Sequence, residues 1–116
     1  MRGNGIVAEF LVRLLEEGHT LGISCVNVAE FEHGIRDSER KAATALLDRL
    51  RFLPTTREAA IRAGRYQADF GRRGRTIHTA DALVAGTARV HGAVLLTDNL
   101  RDFPMKDLRV EAPPAR

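Results

Sequence analysis

Three acidic side chains sit where a chain of alternating strands and helices could use them. Asp81 lies near the first turn of a helix expected within Thr76–Thr87, Thr-Ile-His-Thr-Ala-Asp-Ala-Leu-Val-Ala-Gly-Thr. Asp98 follows the short apolar run Ala93–Thr97, and Glu30 comes soon after another run that ends near Cys25. Acids at a helix start and at the end of the following strand would share one rim, and ligands of such sheets bind outside the carboxyl ends of the strands. Carboxylates gathered on a rim repel one another unless a hard cation, which favours oxygen ligands, sits among them. Edge counting along the sheet adds a condition: Asp81 should sit at the opposite edge unless a loop or a long first turn carries it across.

Each acid also has a purely local explanation. Asp81 would complement the positive end of a helix dipole, Glu30 would be a solvated helix residue, and Asp98 before Asn99 is ordinary turn chemistry. Glu30-Phe-Glu-His33 has the Glu-x-x-His spacing of di-iron bundles, but the second copy and the two further glutamates such a site needs are absent. His78 reads as a helix-start residue.

The elements that must position these acids follow from pattern. The 116 residues suffice for one domain over 1–116 with one core. A hydrophobic share of 44% with 28% charged residues fits a globular protein and not a disordered one. The net charge of +3 tolerates a polyanionic partner without demanding one. Glu9 and Arg13 interrupt the first apolar helix, so it reads neither as a membrane span nor as a signal sequence, and the expected location is cytoplasmic. The one cysteine, Cys25, has no Cys/His cluster around it and is expected to be a small buried residue at a strand end.

Met1–Gly5 is expected to be loose. Val7, Phe10, Leu11, Leu14 and Leu15 keep helical spacing up to Gly18. Thr20–Cys25 reads as a buried strand. A helix capped by Asn27 should turn Val28, Ala29, Phe31 and Ile35 inward. Ser38 should cap the next helix, with Ala43, Leu46, Leu47 and Leu50 buried and Arg40 facing solvent. Phe52-Leu53-Pro54 suits a small edge strand. Thr55-Thr56-Arg57-Glu58 has capping-box spacing before a helix that ends at Gly71. The basic stretch containing Arg72, Arg73 and Arg75 leads into the Asp81 helix; it is either a set of phosphate contacts to a polyanion or a solvated loop. Arg101–Phe103 should form one helical turn, Leu108–Glu111 a last strand, and order should end at Pro113-Pro114. Strands alternating with helices give an α/β fold with a mainly parallel, short-stranded sheet and helices on both faces.

Three segments then carry a resemblance: Ile23-Ser-Cys-Val-Asn-Val-Ala-Glu-Phe-Glu-His-Gly-Ile35, Arg73-Gly-Arg-Thr-Ile-His-Thr-Ala-Asp-Ala-Leu-Val-Ala-Gly-Thr-Ala88, and Ala93-Val-Leu-Leu-Thr-Asp-Asn-Leu-Arg-Asp-Phe103. In order and spacing they resemble the PIN-domain ribonucleases, and among these the VapC-like toxins of toxin–antitoxin pairs. The resemblance runs from about Val7 to Glu111. It implies a ring of acids holding Mg²⁺ or Mn²⁺, with Glu30 and Asp81 at two of its positions. The last acid of the ring falls near Asn99, so Asp98 or Asp102 would substitute, with Asp98 ranked first; Thr97 and Asn99 would lie on the rim. It also implies an RNA substrate, a cognate antitoxin and a homodimer.

The departure is at the N-terminus. The family opens with a hydrophobic strand ending in a metal-binding Asp, and this chain starts after that point. The strands at Leu21–Cys25 and Ala93–Thr97 would then have to pair directly, borrow a strand from a partner chain or leave backbone groups unpaired. Two functions compete on this reading. The first is a metal-dependent endoribonuclease toxin; the second is a truncated, inactive PIN-like module that binds an antitoxin or its own kind. A nucleotide-binding or phosphoacceptor domain fails for want of a Gly-rich first turn, an early acidic pair and a late lysine.

Overall fold

The computed structural model describes residues 4–113, with side chains from Glu9 onward. The chain forms two units, one running up to Phe52 and the other covering Leu53–Ala112. Met1–Gly3 and Pro114, part of the termini expected to lack order, lie outside the described residues.

In the first unit, α1 spans Asn4–Glu16. It stops where the sequence suggests, at Gly18. That residue takes a left-handed φ of +90°, which lets His19 N–H reach back to Leu14 O at 3.0 Å. The strand β1 is Gly22–Ser24 and β2 is Arg51–Leu53. They pair in one two-stranded sheet, and Arg51 N–H donates to Leu21 O at 2.7 Å.

The helix α2, Cys25–Gly34, begins two residues before the expected cap. Ser24 is the cap: its hydroxyl accepts from Asn27 N–H, and the Asn27 side chain accepts in turn from Ser24 N–H, a reciprocal capping box. Asn27 therefore serves as the third helical residue, not as the cap. The early start places Cys25 at the first helical position, where it is exposed instead of buried. It also leaves Ala29 exposed, while Phe31 is buried and Val28 and Ile35 are half-buried.

The helix α3, Asp37–Leu47, starts ahead of Ser38, so Ser38 is not its cap; Arg36 holds that position without a side-chain bond. Asp37 and Glu39 in its first turn complement the helix dipole instead. Arg40 is exposed as expected but pairs with Glu32 at 2.5 Å.

The second unit is built on a helix hairpin. The helix α4 spans Arg57–Arg72 and α5 spans Thr79–Val90. Thr56 caps α4, accepting from Ala59 N–H at 3.2 Å. Thr55, the residue whose spacing to Glu58 suggested a capping box, bonds to Thr87 at 2.8 Å. Thr87 gives its own proton to Leu83 O at 2.7 Å, so Thr55 is the donor to Thr87.

The two helices meet through small residues: Ala59, Ala82 and Ala85 are fully buried, and Ala63 and Ala88 nearly so. A Cβ on Gly86 would stand 2.4 Å from Ala59 O and 3.2 Å from Ala63 N. Only glycine lets these backbones approach so closely. Tyr66, Ile77, Met105 and Leu108 complete the core, with Phe70, Leu83, Leu95, Phe103 and Val110 packed on it. The strands β3, Leu95–Leu96, and β4, Val110–Glu111, form a parallel pair with Leu95 opposite Val110. A 3-10 turn, Leu100–Asp102, follows β3.

The architecture is α/β with short strands, and the pairing of β3 with β4 is parallel as expected. Among the described residues, β1 pairs with β2 and β3 pairs with β4. No described helix is long and apolar enough to cross a membrane.

Gly86→Ala should destabilise the fold by about 3 kcal/mol, the upper end of the range for overpacking, because the clash is with backbone that no rotamer change can move. Urea unfolding monitored by circular dichroism measures it; a loss below about 1 kcal/mol would show that the helices can separate at little cost.

Candidate active site

The start of α5 is held from α4. Gln67 Nε2 donates to Ile77 O and to Thr79 Oγ1, each at 3.0 Å. Ile77, buried in the core, anchors the same segment by burial. His78 then caps α5 in an extended conformation with no side-chain bond of its own. Asp81 is the third residue of the helix and is half-buried.

The other half of the rim follows β3. Asn99 N–H donates to Thr97 Oγ1 at 3.1 Å, and Asn99 Nδ2 donates to Asp102 Oδ2. Asp102 N–H donates to Asn99 O at 3.1 Å, closing the 3-10 turn. The turn thus fixes the Asp102 carboxylate from both its backbone and its side chain. Arg75, from the loop before α5, donates to the carbonyl of Arg101 and ties the two segments together.

The charge of Asp102 reaches Asp81. Burial is the main cause that raises the Asp81 carboxyl above its ordinary range, the negative charge of Asp102 adds to it, and His78 opposes both. Between α5 and β3 the chain turns at Gly92, whose φ is +66°, with Ala93 N–H bonded to Ala88 O at 2.9 Å.

Asp98, in the same turn, is exposed; Asp102, half-buried, is the acid after β3 whose charge reaches Asp81. Glu30 lies exposed midway along α2 in the first unit. Among the described residues no three His, Cys, Asp or Glu side chains gather as a metal centre. The basic stretch is not a uniform solvated loop. Arg72 ends α4 and pairs with Asp69 at 2.8 Å, Arg73 lies over the Phe70 ring at 4.3 Å, and Arg75 is bound to Arg101. Sequence reasoning missed Gln67 altogether. Its position one residue after the buried Tyr66 was the available signal, since it places a long amide beside the core at the end of α4.

The PIN domain family model matches residues 6–107. The chain is 33% identical over 105 residues to a protein named Ribonuclease VapC19 from Mycobacterium tuberculosis, covering 90% of this chain and 84% of that one. It is also 33% identical over 95 residues to the tRNA(fMet)-specific endonuclease VapC of Salmonella typhimurium, covering 77% and 72% respectively. The solved structure of DNA-bound VapBC from Salmonella typhimurium superimposes with a TM-score of 0.74 at 29% identity, over 88% of this chain and 83% of that one.

Because folding raises the Asp81 pKa, the folded chain holds that proton more tightly than the unfolded chain does. The stabilisation is fully present below the ordinary carboxylate range and is lost as pH rises through the raised value. Asp81→Asn should therefore gain on the wild type as pH rises. The difference in melting temperature, variant minus wild type, should be larger at neutral pH than in acid, in metal-free buffer. NMR titration of the Asp81 carboxyl should also show its pKa falling in Asp102→Asn; no change there would mean the two charges are not coupled.

Proposed function

The chain belongs to the PIN-domain family, and from that premise we propose that it is a VapC-like endoribonuclease toxin that hydrolyses RNA phosphodiesters with a divalent metal. The observation that carries the reading is the half-buried Asp81 at the start of α5, whose carboxyl is raised by burial and, second to that, by the charge of Asp102 in the turn after β3. Two carboxylates, one of them raised in proton affinity by burial and by the charge of the other, offer a hard oxygen donor set to Mg²⁺ or Mn²⁺, which take such ligands and complete their shells with water. When bound, the ion supplies charge neutralisation and a water of lowered pKa.

The protein's own residues have distinct tasks. Asp81 and Asp102 present the anionic oxygens. Asn99 orients Asp102 through the Asn99 Nδ2 bond, a hold that keeps a ligand carboxylate from turning away. Gln67 fixes the segment from which Asp81 projects. Arg73 adds positive charge where phosphate would approach. Glu30 rests on the sequence resemblance alone, and Asp98 is the alternative to Asp102. An antitoxin partner is supported by the likeness to the VapBC structure; the homodimer and the cytoplasmic location complete the reading by resemblance.

Cleavage of a labelled single-stranded RNA with Mg²⁺ or Mn²⁺, compared with chelator, tests this. Asp81→Asn and Asp102→Asn should each lower the rate roughly 100-fold or more, on the scale of losing a preorganised charge-stabilising group; Asp98→Asn should leave it within a few-fold. Glu30→Gln in the same assay decides whether that acid takes part. Cleavage that persists in chelator, or that survives Asp81→Asn, sinks the proposal.

A further inference from the structure

The second unit carries a groove of about 410 Å³ between α4 and the segment Pro104–Asp107. Its cationic walls are Arg62, Arg65, Arg73 and Lys106, with Tyr66 and Phe70 among the lining. Two acids also line it, and both are already engaged. Asp69 pairs with Arg72 at 2.8 Å. Asp107 accepts from the Tyr66 hydroxyl at 2.8 Å and lies 3.8 Å from Arg62 and 3.5 Å from Arg89. Among the described residues, Arg65, Arg73 and Lys106 have no acidic partner. The groove therefore keeps a positive surplus at its open side while its acids are spent on the wall.

We infer that this groove is a track for the phosphate backbone of a single RNA strand, leading to the Asp81–Asp102 rim. The inference rests on the ribonuclease reading above and extends it to residues outside the acid pair.

Three observations favour RNA over an acidic protein segment. First, the groove is continuous in sequence with the rim: Pro104 follows Asp102 by two residues, and the α4 wall ends at Arg73, just before the loop to α5. Second, from Arg62 to Arg73 the α4 wall is about 16 Å long at 1.5 Å per residue, enough for successive phosphates. Third, the lining includes a guanidinium stacked on an aromatic ring, Arg73 over Phe70 at 4.3 Å. Such a stacked cation offers a planar face to a base and charge to a phosphate. Phosphate contacts of this kind position a strand and carry no sequence information themselves.

The test uses the full chain with Asp81→Asn to silence cleavage, and a short fluorescein-labelled single-stranded RNA whose affinity is followed by anisotropy across a salt series. Arg65→Ala with Lys106→Ala, both exposed and outside the core, should flatten the slope of log affinity against log salt by about 1.4, from about 0.7 per lost phosphate contact on a single strand. The melting temperature should not change. In the chain with Asp81 intact, the same pair should raise KM far more than it lowers kcat. An unchanged salt slope overturns the inference. So does a pair that weakens binding of poly-glutamate but not of RNA, which would assign the groove to an acidic protein segment. If the wild type cleaves no RNA while the pair still flattens the slope, the catalytic reading falls and the groove stands.

Discussion

The second unit depends on one close approach, that of Gly86 to the backbone of Ala59 and Ala63. Helices usually pack with 8–10 Å between their axes, a spacing that depends on the side chains at the contact. Small residues here allow backbone to touch backbone, so any added atom must push a helix. The start of α5 has no side-chain cap of its own. Its place is set by that contact together with Ile77 in the core and the two Gln67 bonds. Where Asp81 points is therefore decided along the whole length of the α4–α5 hairpin, as well as by the residues beside it.

The two helices of the hairpin were legible in the sequence, one from the capping-box spacing ahead of it and the other within Thr76–Thr87, but their packing on each other was not. The strands β3 and β4 were legible too, though β3 keeps only the inner residues of its expected run and β4 only the last two of Leu108–Glu111. What failed was the placing of caps. Asn27, Ser38 and Thr55 are all good cap types, yet Ser24, Arg36 and Thr56 hold the positions. Cap preference is worth about 1 kcal/mol, and tertiary contacts of similar size overrule it. Ser24 can cap only because Asn27 answers it, and Thr55 is taken by Thr87. The misplacing of Cys25 has the same cause, since moving a helix start by two residues turns each side chain on it to a new face.

At the candidate site, the resemblance named Asp81 and ranked Asp98 ahead of Asp102, whereas it is the charge of Asp102 that reaches Asp81. Asp98 and Asp102 sit in the same turn, and their difference is one of burial and charge, which spacing does not encode. The 3-10 turn separates them physically: Asp102 is held through Asn99 and half-buried, while Asp98 is exposed. Asn99, which the spacing marked as the position of the missing acid, is thereby the residue that orients the neighbouring one.

The electrostatics of the second unit then divide into two regions with opposite demands. Around Asp81, burial and Asp102 make negative charge costly, so the rim is driven to take up a proton or a cation. Along α4 the surplus is positive, and the acids that would cancel it are held by Arg72, Arg62 and Arg89. A polyanion alone would be repelled at the rim and attracted along the groove. A cation at the rim removes the first obstacle and leaves the second attraction in place. On this reading the ion and the strand bind in support of each other, because each supplies the charge the other's region lacks.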